Sequence, residues 1–287
     1  MTCCWKELMD LLPPWLRSVT ERDGKDKPIG EIRLRLGKAP QYTGWGKEWN
    51  LTDRTVTGSD LSFVVNAASQ FSPYAAQSIH QGYITAKGGH RIGIGGQWVI
   101  RDGVPQGTRN IRSLCIRVAR DVAGVALGLP DKLGGSSTLI LGPPGSGKTT
   151  LLRDLIRQIS VHRTEQIAVI DQRQELFPPG YAGYCFDTGS RTDVLTDVDK
   201  ATGIEMAVRS LTPAWVAVDE ITSAQDCAVM ERCAYSGVRF LATAHAMSVA
   251  DMERRPLYRA ILKTGIFGQA IMLLGQGKYT VEELRDK

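Results

Sequence analysis

One stretch of the chain, residues 139–152, limits the possible folds more than any other part of the sequence. An apolar run gives way at Gly142 to a glycine- and proline-rich turn, and the segment that begins at Lys148 has helical spacing. The spacing matches G-x-x-x-x-G-K-[ST] in its required context of a strand before and a helix after. The sequence therefore predicts a nucleotide-binding loop formed by Gly142, Pro143, Pro144, Gly145, Ser146, Gly147, Lys148, Thr149 and Thr150.

The predicted loop has the chemistry of a phosphate-binding site. Glycines let the backbone wrap with its N–H groups pointing inward, and the start of the following helix adds the positive end of its dipole. In this motif the Lys148 ammonium reaches the β- and γ-phosphates, and the Thr149 hydroxyl holds Mg²⁺. The alternative is a glycine–proline turn that merely precedes a helix, but every specified position of the motif is filled. We therefore expect ATP and Mg²⁺ as ligands.

Composition limits the class of protein without selecting a function. The 287 residues are enough for two domains, and 43% hydrophobic with 23% charged residues is ordinary for a globular chain. No stretch approaches the roughly 18 apolar residues of a membrane span, and the N-terminus lacks the basic region of a secretory signal. Six cysteines show no C-x-x-C spacing, and the four histidines form no metal-binding pair. We therefore expect a cytoplasmic protein with reduced thiols and no structural zinc site.

Positive charge is concentrated in the front part of the chain. Residues 1–136 carry 18 Lys and Arg against 12 Asp and Glu, a net +6, whereas residues 137–287 carry 17 against 18, a net −1. A basic surface can attract nucleic acid, an anionic membrane or the nucleotide phosphates of a neighbouring subunit. The charge by itself does not choose among these partners.

The front part, residues 1–130, is predicted as a small, basic, hairpin-rich α+β domain. Its helices follow from apolar residues at helical spacing, and its strands from alternating apolar residues bounded by glycine turns. The predicted helices are 5–16 with a break at Pro13-Pro14, 60–69, one that starts at Ser72-Pro73, and 121–127. The predicted strands are 29–36, hairpins over 82–103 that turn at Gly88-Gly89 and Asp102-Gly103, and 113–119, with a loop at 20–28.

Residues 131–287 are predicted as the nucleotide-binding domain, which begins within a linker, 128–137. Short apolar runs alternate with helical segments, a pattern typical of a mostly parallel sheet with helices on both faces. The apolar runs are 138–141, 167–170, 215–218, 239–242 and 270–274.

Two acids directly follow the apolar run 215–218. A carboxylate at the end of a strand can hold the water shell of Mg²⁺, which is the role we assign to Asp219. The next acid, Glu220, can polarise a water molecule for attack on a phosphate. Such a pair is strong evidence for this chemistry only when a phosphate loop precedes it, as it does here. The alternative for Glu220 is a solvated carboxylate at the start of a helix.

A further strand, 168–171, lies in sequence between the phosphate-loop strand and the strand that ends in Asp219. An additional strand in that position favours the branch of P-loop proteins in which a glutamate activates water. Glu175 is a second candidate for this role, and a surface carboxylate at a helix start is an equally good interpretation of it.

His245 ends the apolar run that begins at Leu241. In the glutamate-using branch this strand lies beside the phosphate-loop strand, so the imidazole would point towards the γ-phosphate and sense the nucleotide. Ligands of open α/β sheets bind at the carboxyl ends of the strands, which favours this interpretation over a structural histidine.

Several motifs resemble those of the stage III sporulation protein AA family, which is similar to the secretion and pilus ATPases. They extend over nearly the whole chain and are specific in the front part. The resemblance is carried by Glu31–Gly37, Gly82–Thr85, Gly89–Ile94, Ser113–Arg117, Arg191–Leu195, Lys200, Arg209–Pro213, Val216–Ile221, Thr243–His245 and Arg255-Pro256.

This resemblance implies a RecA-like P-loop ATPase domain of α/β class with a mostly parallel sheet, preceded by the smaller α+β domain. It also implies a mother-cell cytoplasmic ATPase of endospore-forming bacteria that assembles as a homo-oligomeric ring, a hexamer in the related ATPases. Such a ring would energise the channel between mother cell and forespore. It would dock at the membrane through a membrane protein of the channel complex, without a span of its own.

The resemblance also implies roles for particular residues. Asp171, Arg173 and Glu175 match the family's acidic segment, and Glu175 aligns with the catalytic glutamate of the pilus relatives. His245 matches their histidine segment. Arg91 and Arg117 fall where those relatives supply arginines across the subunit interface, although local pairing on the sheet surface is an alternative. Gln172 and Thr222 depart from the family pattern, which usually has an acid and a glycine there.

Two other functions remain open on the sequence alone. A nucleic-acid-stimulated motor would account for the basic front part, but its aromatic residues are not interleaved with Lys and Arg as a base-stacking platform requires. Nucleic acid is therefore the less favoured partner. The second alternative is a scaffold that binds nucleotide without appreciable hydrolysis.

Overall fold

The computed structural model describes residues 2–70, 82–275 and 278–284, and the chain forms two compact units. The first unit comprises Met1–Asp121 and Pro178–Phe186, and the second comprises Val122–Phe177 and Asp187–Lys287. The division thus follows Asp121, earlier than the predicted boundary after residue 130, and a later segment returns to the first unit. In the described part of the chain, no helix combines the length and the apolar character needed to cross a membrane.

The first unit consists of one six-stranded sheet, short helices and two small strand pairs. Its helices are α1 (Trp5–Leu11), α2 (Pro14–Asp23) and α3 (Gly58–Gln70), and a 3₁₀ turn covers Lys87–Gly89. Its strands are β1 (Thr2–Cys3), β2 (Glu31–Arg35), β3 (Gln41–Gly44), β4 (Lys47–Trp49), β5 (Tyr83–Thr85), β6 (Arg91–Arg101), β7 (Val104–Arg117), β8 (Arg120–Asp121), β11 (Pro179–Gly180) and β12 (Gly183–Tyr184).

The large sheet of the first unit is antiparallel, in the order β4-β3-β2-β7-β6-β5. One face buries alternate apolar residues, such as Ile32 and Ile116, against the helices. The predicted hairpin turn at Asp102-Gly103 is confirmed, since both residues have the positive φ that a tight hairpin needs. The predicted strand 113–119 overlaps the last part of the long strand β7, which ends two residues earlier, at Arg117.

Two predicted elements of the front part are wrong. Residues 20–23 were expected in a loop but continue α2, because the buried Thr20 hydroxyl donates to Leu16 O and contacts the Tyr42 hydroxyl. The helix expected over 121–127 is absent: Asp121 ends β8, and turns with positive φ at Gly124 and Gly128 follow. The helix predicted from Ser72-Pro73 lies outside the described residues.

The second unit alternates strands and helices. Its helices are α4 (Leu129–Lys132), α5 (Lys148–His162), α6 (Lys200–Ser210), α7 (Ala224–Ala234), α8 (Val249–Arg254) and α9 (Pro256–Lys263). Its strands are β9 (Thr138–Leu141), β10 (Ile167–Asp171), β13 (Thr192–Thr196), β14 (Trp215–Val218), β15 (Arg239–Ala244), β16 (Gln269–Gly275) and β17 (Lys278–Glu283).

These strands form one sheet in the order β13-β10-β14-β15-β9-β16-β17, parallel except for β17 at one edge. All five apolar runs predicted as strands are confirmed. The sequence missed β13 and β17, because these edge strands are only partly buried and carry no continuous apolar run. As predicted, β15 lies beside the phosphate-loop strand β9. Its other neighbour is β14, so the carboxyl ends of all three strands meet at one edge of the sheet.

Candidate nucleotide-binding site

The phosphate loop joins the fully buried strand β9 to the start of α5. Gly145 and Gly147 have φ values of +74° and +97°, which glycine adopts without strain. At Gly142, a Cβ would lie 2.5 Å from Ser146 Oγ and 3.2 Å from Leu273 Cβ, so any larger residue would displace the Ser146 side chain and crowd β16. Pro143 and Pro144 complete the turn, and Lys148, Thr149 and Thr150 form the first turn of α5.

The Lys148 side chain is buried and folds back over its own loop. Its Nζ donates to Gly142 O at 3.0 Å and to Pro143 O at 2.9 Å, and it lies 3.0 Å from His245 Nδ1. These three contacts match the three donors of an ammonium group. Burial lowers the pKa of Lys148, while the nearby carboxylates of Asp219 and Glu220 raise it.

His245 connects Lys148 to Glu220. Because Lys148 offers only donors, the His245 Nδ1 must accept, and the proton of a neutral imidazole is then on Nε2. That nitrogen lies 3.2 Å from Glu220 Oε1. The geometry thus assigns one tautomer to His245 and links Lys148 to Glu220, the candidate water-activating acid.

Thr243, on the neighbouring strand β15, holds the acidic pair. Its hydroxyl donates to Asp219 Oδ1 at 2.7 Å and accepts the Glu220 N–H at 2.8 Å. The other oxygen of Asp219 accepts a hydrogen bond from Thr149 at 2.8 Å. Glu220 has a φ of +55°, a conformation that costs energy for a residue with a Cβ and that clusters at functional sites. The Thr243 bond therefore helps to hold a strained residue.

Glu175 sits in a turn organised by Asp171. The buried Asp171 carboxylate accepts the N–H groups of Glu175, Leu176 and Phe177 at 2.8–3.0 Å. Burial raises the pKa of Asp171 to about 6, with a contribution from Asp219, although the three amide donors lower it. Asp171 therefore has a positioning role in this turn.

Glu175, Asp219 and Glu220 line one small cleft, together with Asp171 and Lys200. Its volume of about 20 Å³ is room for roughly one water molecule. The buried Lys200 begins α6, and its Nζ donates to Thr222 Oγ1 at 3.3 Å. Together with Arg173, which also lines the cleft, this lysine brings positive charge close to the four carboxylates.

Arg91 and Arg117 belong to the first unit. They are cross-strand partners on β6 and β7, in the same row as Glu31 of β2. Arg91 stacks on the Tyr83 ring at 4.1 Å, and Arg117 Nε lies 4.0 Å from Glu31 Oε2. The Arg117 side chain is 72% exposed, so its ion pair is weak.

The residues of the loop fit a nucleotide and a magnesium ion. Ser146 Oγ is buried and, within the described residues, has no hydrogen-bond partner, as expected for a group that faces a ligand. Thr149 and Asp219 offer a hydroxyl and a carboxylate in contact with one another, and hard oxygen donors of this kind suit Mg²⁺.

Two contributors to the site were not predicted, Thr243 and Lys200. Both were noted only as parts of recognisable motifs, and neither was given a role. Thr243 ends a strand next to the Asp219 strand, and that adjacency could have indicated it. Nothing local in the sequence indicates that Lys200 reaches the cleft, because α6 has to pack on the sheet first.

The fold and the site together define the class: a RecA-like P-loop domain of the kind found in secretion and pilus ATPases. The pilus retraction motor PilT, solved with bound ADP, is similar with a TM-score of 0.63 and 19% identity, covering 92% of this chain and 82% of PilT. The ATPase DotB of Legionella pneumophila is similar with a TM-score of 0.60 and 17% identity, covering 91% of this chain and 76% of DotB.

The sequence assigns the chain to a family within that class. The profile described as "Sporulation stage III, protein AA" matches residues 5–284. Stage III sporulation protein AA of Bacillus subtilis (strain 168) is 31% identical over 294 residues, which cover 98% of this chain and 95% of that protein. The chain belongs to the stage III sporulation protein AA family.

Proposed function

We propose that the chain is a Mg²⁺-dependent ATPase that hydrolyses ATP to ADP and phosphate and works as a motor for a secretion-like channel. The observation that carries the proposal is the continuous set of polar contacts that joins Lys148 and Thr149 of the phosphate loop to Asp219, Glu220 and His245. Membership of a sporulation family supports a role between mother cell and forespore. The fold shared with a pilus retraction motor supports a mechanical one.

Each residue of the site has a separate role in the proposed reaction. The loop amides and Lys148 bind the β- and γ-phosphates, and Lys148 exchanges its carbonyl and imidazole contacts for phosphate oxygens. Thr149 and Asp219 would hold Mg²⁺, which would supply positive charge to neutralise the phosphates. Glu220 accepts a hydrogen bond from the attacking water and orients it. His245 contacts both Lys148 and Glu220, so phosphate binding at Lys148 changes the position of the imidazole beside Glu220.

Glu220 is the stronger of the two candidates for water activation. Its carboxylate is tied through His245 to the lysine that holds the phosphates, whereas the described contacts of Glu175 place it in the turn around Asp171. Both acids line the cleft with room for about one water molecule. Glu175 is therefore proposed to accept a second hydrogen bond from the same water molecule.

A ring would bring an arginine of one subunit to the nucleotide bound by the next. We propose a homo-oligomer, with six subunits as the resemblance implies, in which Arg91 or Arg117 of one subunit stabilises the γ-phosphate held by the next. The adjacent position of these arginines on one exposed sheet face supports this role. We propose that the ring is cytoplasmic and docks peripherally on a membrane protein of the sporulation channel.

The proposal is tested with the purified full chain and four variants. Lys148→Ala should abolish nucleotide binding. Glu220→Gln should bind ATP normally but release phosphate about 10²–10⁴-fold more slowly, and Glu175→Gln should fall between Glu220→Gln and wild type. Glu253→Gln, at an exposed glutamate of α8, is the matched control and should behave as wild type.

Fluorescent-nucleotide titration measures binding, and steady-state phosphate release measures turnover. Wild-type turnover in both Lys148→Ala and Glu220→Gln would refute the proposed ATPase activity.

Measuring the size of the protein with and without a non-hydrolysable ATP analogue tests the ring, which should form with the analogue. Turnover stimulated by single-stranded DNA and lost steeply with added salt would instead favour a nucleic-acid motor. Normal binding without turnover in assembled rings would favour a scaffold.

A further inference from the structure

Three potential metal-ligand atoms meet in the first unit. The Cys4 and Cys185 thiols and the Glu7 carboxylate each offer one atom, and these atoms lie within 4.8 Å of one another. Cys4 directly precedes α1 and Glu7 lies in its first turn, three residues on, so their side chains share one side of the helix. Cys185 follows β12 in the segment 178–186, hereafter the returning segment.

The protein packs tightly around this cluster. A Cβ on Gly88 would lie 2.8 Å from Cys4 Cβ and 2.9 Å from Glu7 Cβ. A Cβ on Gly180 would lie 3.0 Å from Cys185 Sγ and 3.3 Å from Glu7 Oε1. Gly180 thus lets the backbone approach two ligand atoms closely, and Gly88 lets it approach the side chains of Cys4 and Glu7.

Neighbouring groups hold the Glu7 carboxylate and the backbone of Cys4. Tyr181 N–H donates to Glu7 Oε1 at 3.3 Å, and His90 Nε2 contacts Cys4 O at 3.0 Å. His90 Nδ1 accepts the Ala119 N–H, so both nitrogens of this buried histidine are engaged, and it serves as a support rather than a ligand. Metal ligands are commonly held by such outer contacts.

We propose that Cys4, Glu7 and Cys185 bind one zinc ion in a site separate from the nucleotide loop. Two thiolates and a carboxylate are ordinary zinc ligands, and a water molecule completes a tetrahedral set. Binding replaces the two thiol protons, which leave to solvent, and changes no oxidation state. Three anionic ligands and Zn²⁺ leave a net charge of −1. Lys6 and Lys87, which both stack on Tyr181 next to Gly180, supply compensating charge.

Zinc binding would hold the returning segment more firmly against α1. The returning segment follows directly after Phe177, whose amide is the last of the three that bind Asp171 in the Glu175 turn. The segment contacts α1 through hydrogen bonds from the Tyr181 N–H to Glu7 and from the Tyr181 hydroxyl to Asp10 at 2.5 Å, and it pairs with itself through β11–β12. A zinc ion would add a tie between this segment and α1, and would stabilise the first unit.

Cobalt and zinc titrations of the metal-stripped, reduced full chain test the proposal. Wild type should bind one equivalent of Co²⁺ with a thiolate-to-cobalt charge-transfer band and the visible bands of a tetrahedral site, and Zn²⁺ should displace it. Cys185→Ser and Glu7→Gln should each weaken Zn²⁺ binding by roughly tenfold or more. Cys115→Ser, a half-buried cysteine elsewhere in the first unit, is the matched control and should not change it.

The melting temperature gives an independent readout. Zn²⁺ should raise it in wild type and Cys115→Ser but not in Cys185→Ser. The absence of a charge-transfer band in wild type would overturn the proposal even if a variant failed to fold. Equal zinc affinity in wild type and Cys185→Ser would overturn it too. Disulfide formation between Cys4 and Cys185 on air oxidation, with no metal bound by the reduced protein, would identify a thiol pair instead.

Discussion

The Nζ atom of Lys148 lies 3.0 Å from Nδ1 of His245, although 97 positions separate the two residues in the sequence. They meet because β15 pairs with β9 in parallel, so both strands deliver the segments that follow them to one edge of the sheet. A phosphate that takes Lys148 must displace this contact. The imidazole then changes its relation to Glu220, whose Oε1 lies 3.2 Å from Nε2. Under the proposed function, phosphate binding and water activation would therefore be coupled through the His245 imidazole.

Replacement of His245 tests this coupling. His245→Ala should keep nucleotide affinity within about threefold of wild type, because Lys148 still has its loop carbonyls as partners before binding and the phosphate oxygens after it. Phosphate release should slow by about a hundredfold, since Glu220 loses its oriented neighbour. Parallel nucleotide titration and phosphate-release assays separate the two effects. If His245→Ala instead lost nucleotide binding as Lys148→Ala should, the histidine would contribute to binding and the coupling would be refuted.

Thr243 should be needed for magnesium as well as for turnover. Thr243→Val removes the hydroxyl at nearly constant volume, frees one oxygen of Asp219 and leaves the Glu220 amide without its acceptor. We expect a higher Mg²⁺ concentration for half-maximal phosphate release and roughly tenfold slower turnover. The free energy of unfolding should fall by about 1–3 kcal/mol, the usual cost of an unsatisfied buried donor.

Thr243→Ser is the matched control, because it keeps the hydroxyl and loses only a methyl group. It should retain the wild-type dependence on Mg²⁺. An unchanged magnesium titration in Thr243→Val would show that Asp219 is positioned by Thr149 alone.

Lys200 should affect turnover without affecting binding. Lys200→Met keeps the length of the side chain but removes the charge that faces the carboxylates of the cleft. Repulsion between Glu220 and Glu175 then displaces the water-activating acid, and we expect about tenfold slower phosphate release at unchanged nucleotide affinity. Lys263→Met, at an exposed lysine at the end of α9, is the control. If Lys200→Met instead lost nucleotide binding, Lys200 would have to bind the phosphates directly.

His90 should make stability depend on pH. Burial lowers the pKa of His90 to about 4, from an ordinary value of 6.5. Below pH 6.5 the unfolded chain takes up a proton that the folded chain does not, so stability falls as the pH drops. This His90 contribution is intact above pH 6.5 and is lost progressively towards pH 4, by about 3 kcal/mol in total.

Urea unfolding of wild type and His90→Leu at pH 7.5 and pH 5 measures this contribution. The variant should have a lower free energy of unfolding than wild type at pH 7.5. The difference should be smaller at pH 5, because only wild type loses stability through the lowered pKa of His90. The other titrating groups are common to both proteins and cancel in the difference. His162→Gln, at an exposed histidine, should leave the pH dependence unchanged. A constant gap between wild type and His90→Leu would contradict the assignment.

The sequence predicted those parts of the fold whose signals are local. The five apolar runs of the second unit form strands because parallel strands are buried on both faces, which leaves an unbroken apolar run. The helix expected over 121–127 failed because two glycines with positive φ turn the chain there instead. The continuation of α2 to Asp23 was missed, since the contact that holds Thr20 comes from Tyr42, on a distant strand.

The sequence by itself determined the chemistry of the site: which glycines let the loop curl, which lysine and threonine begin the helix, and which acids end a buried strand. Tertiary structure decided which residues meet. The order of the strands put Thr243 between Asp219 and Glu220 and placed His245 on Lys148, and the returning segment carried Cys185 to Cys4. The physical reason is that a motif records spacing along one segment, whereas hydrogen bonds and metal ligands depend on distances set by packing between segments.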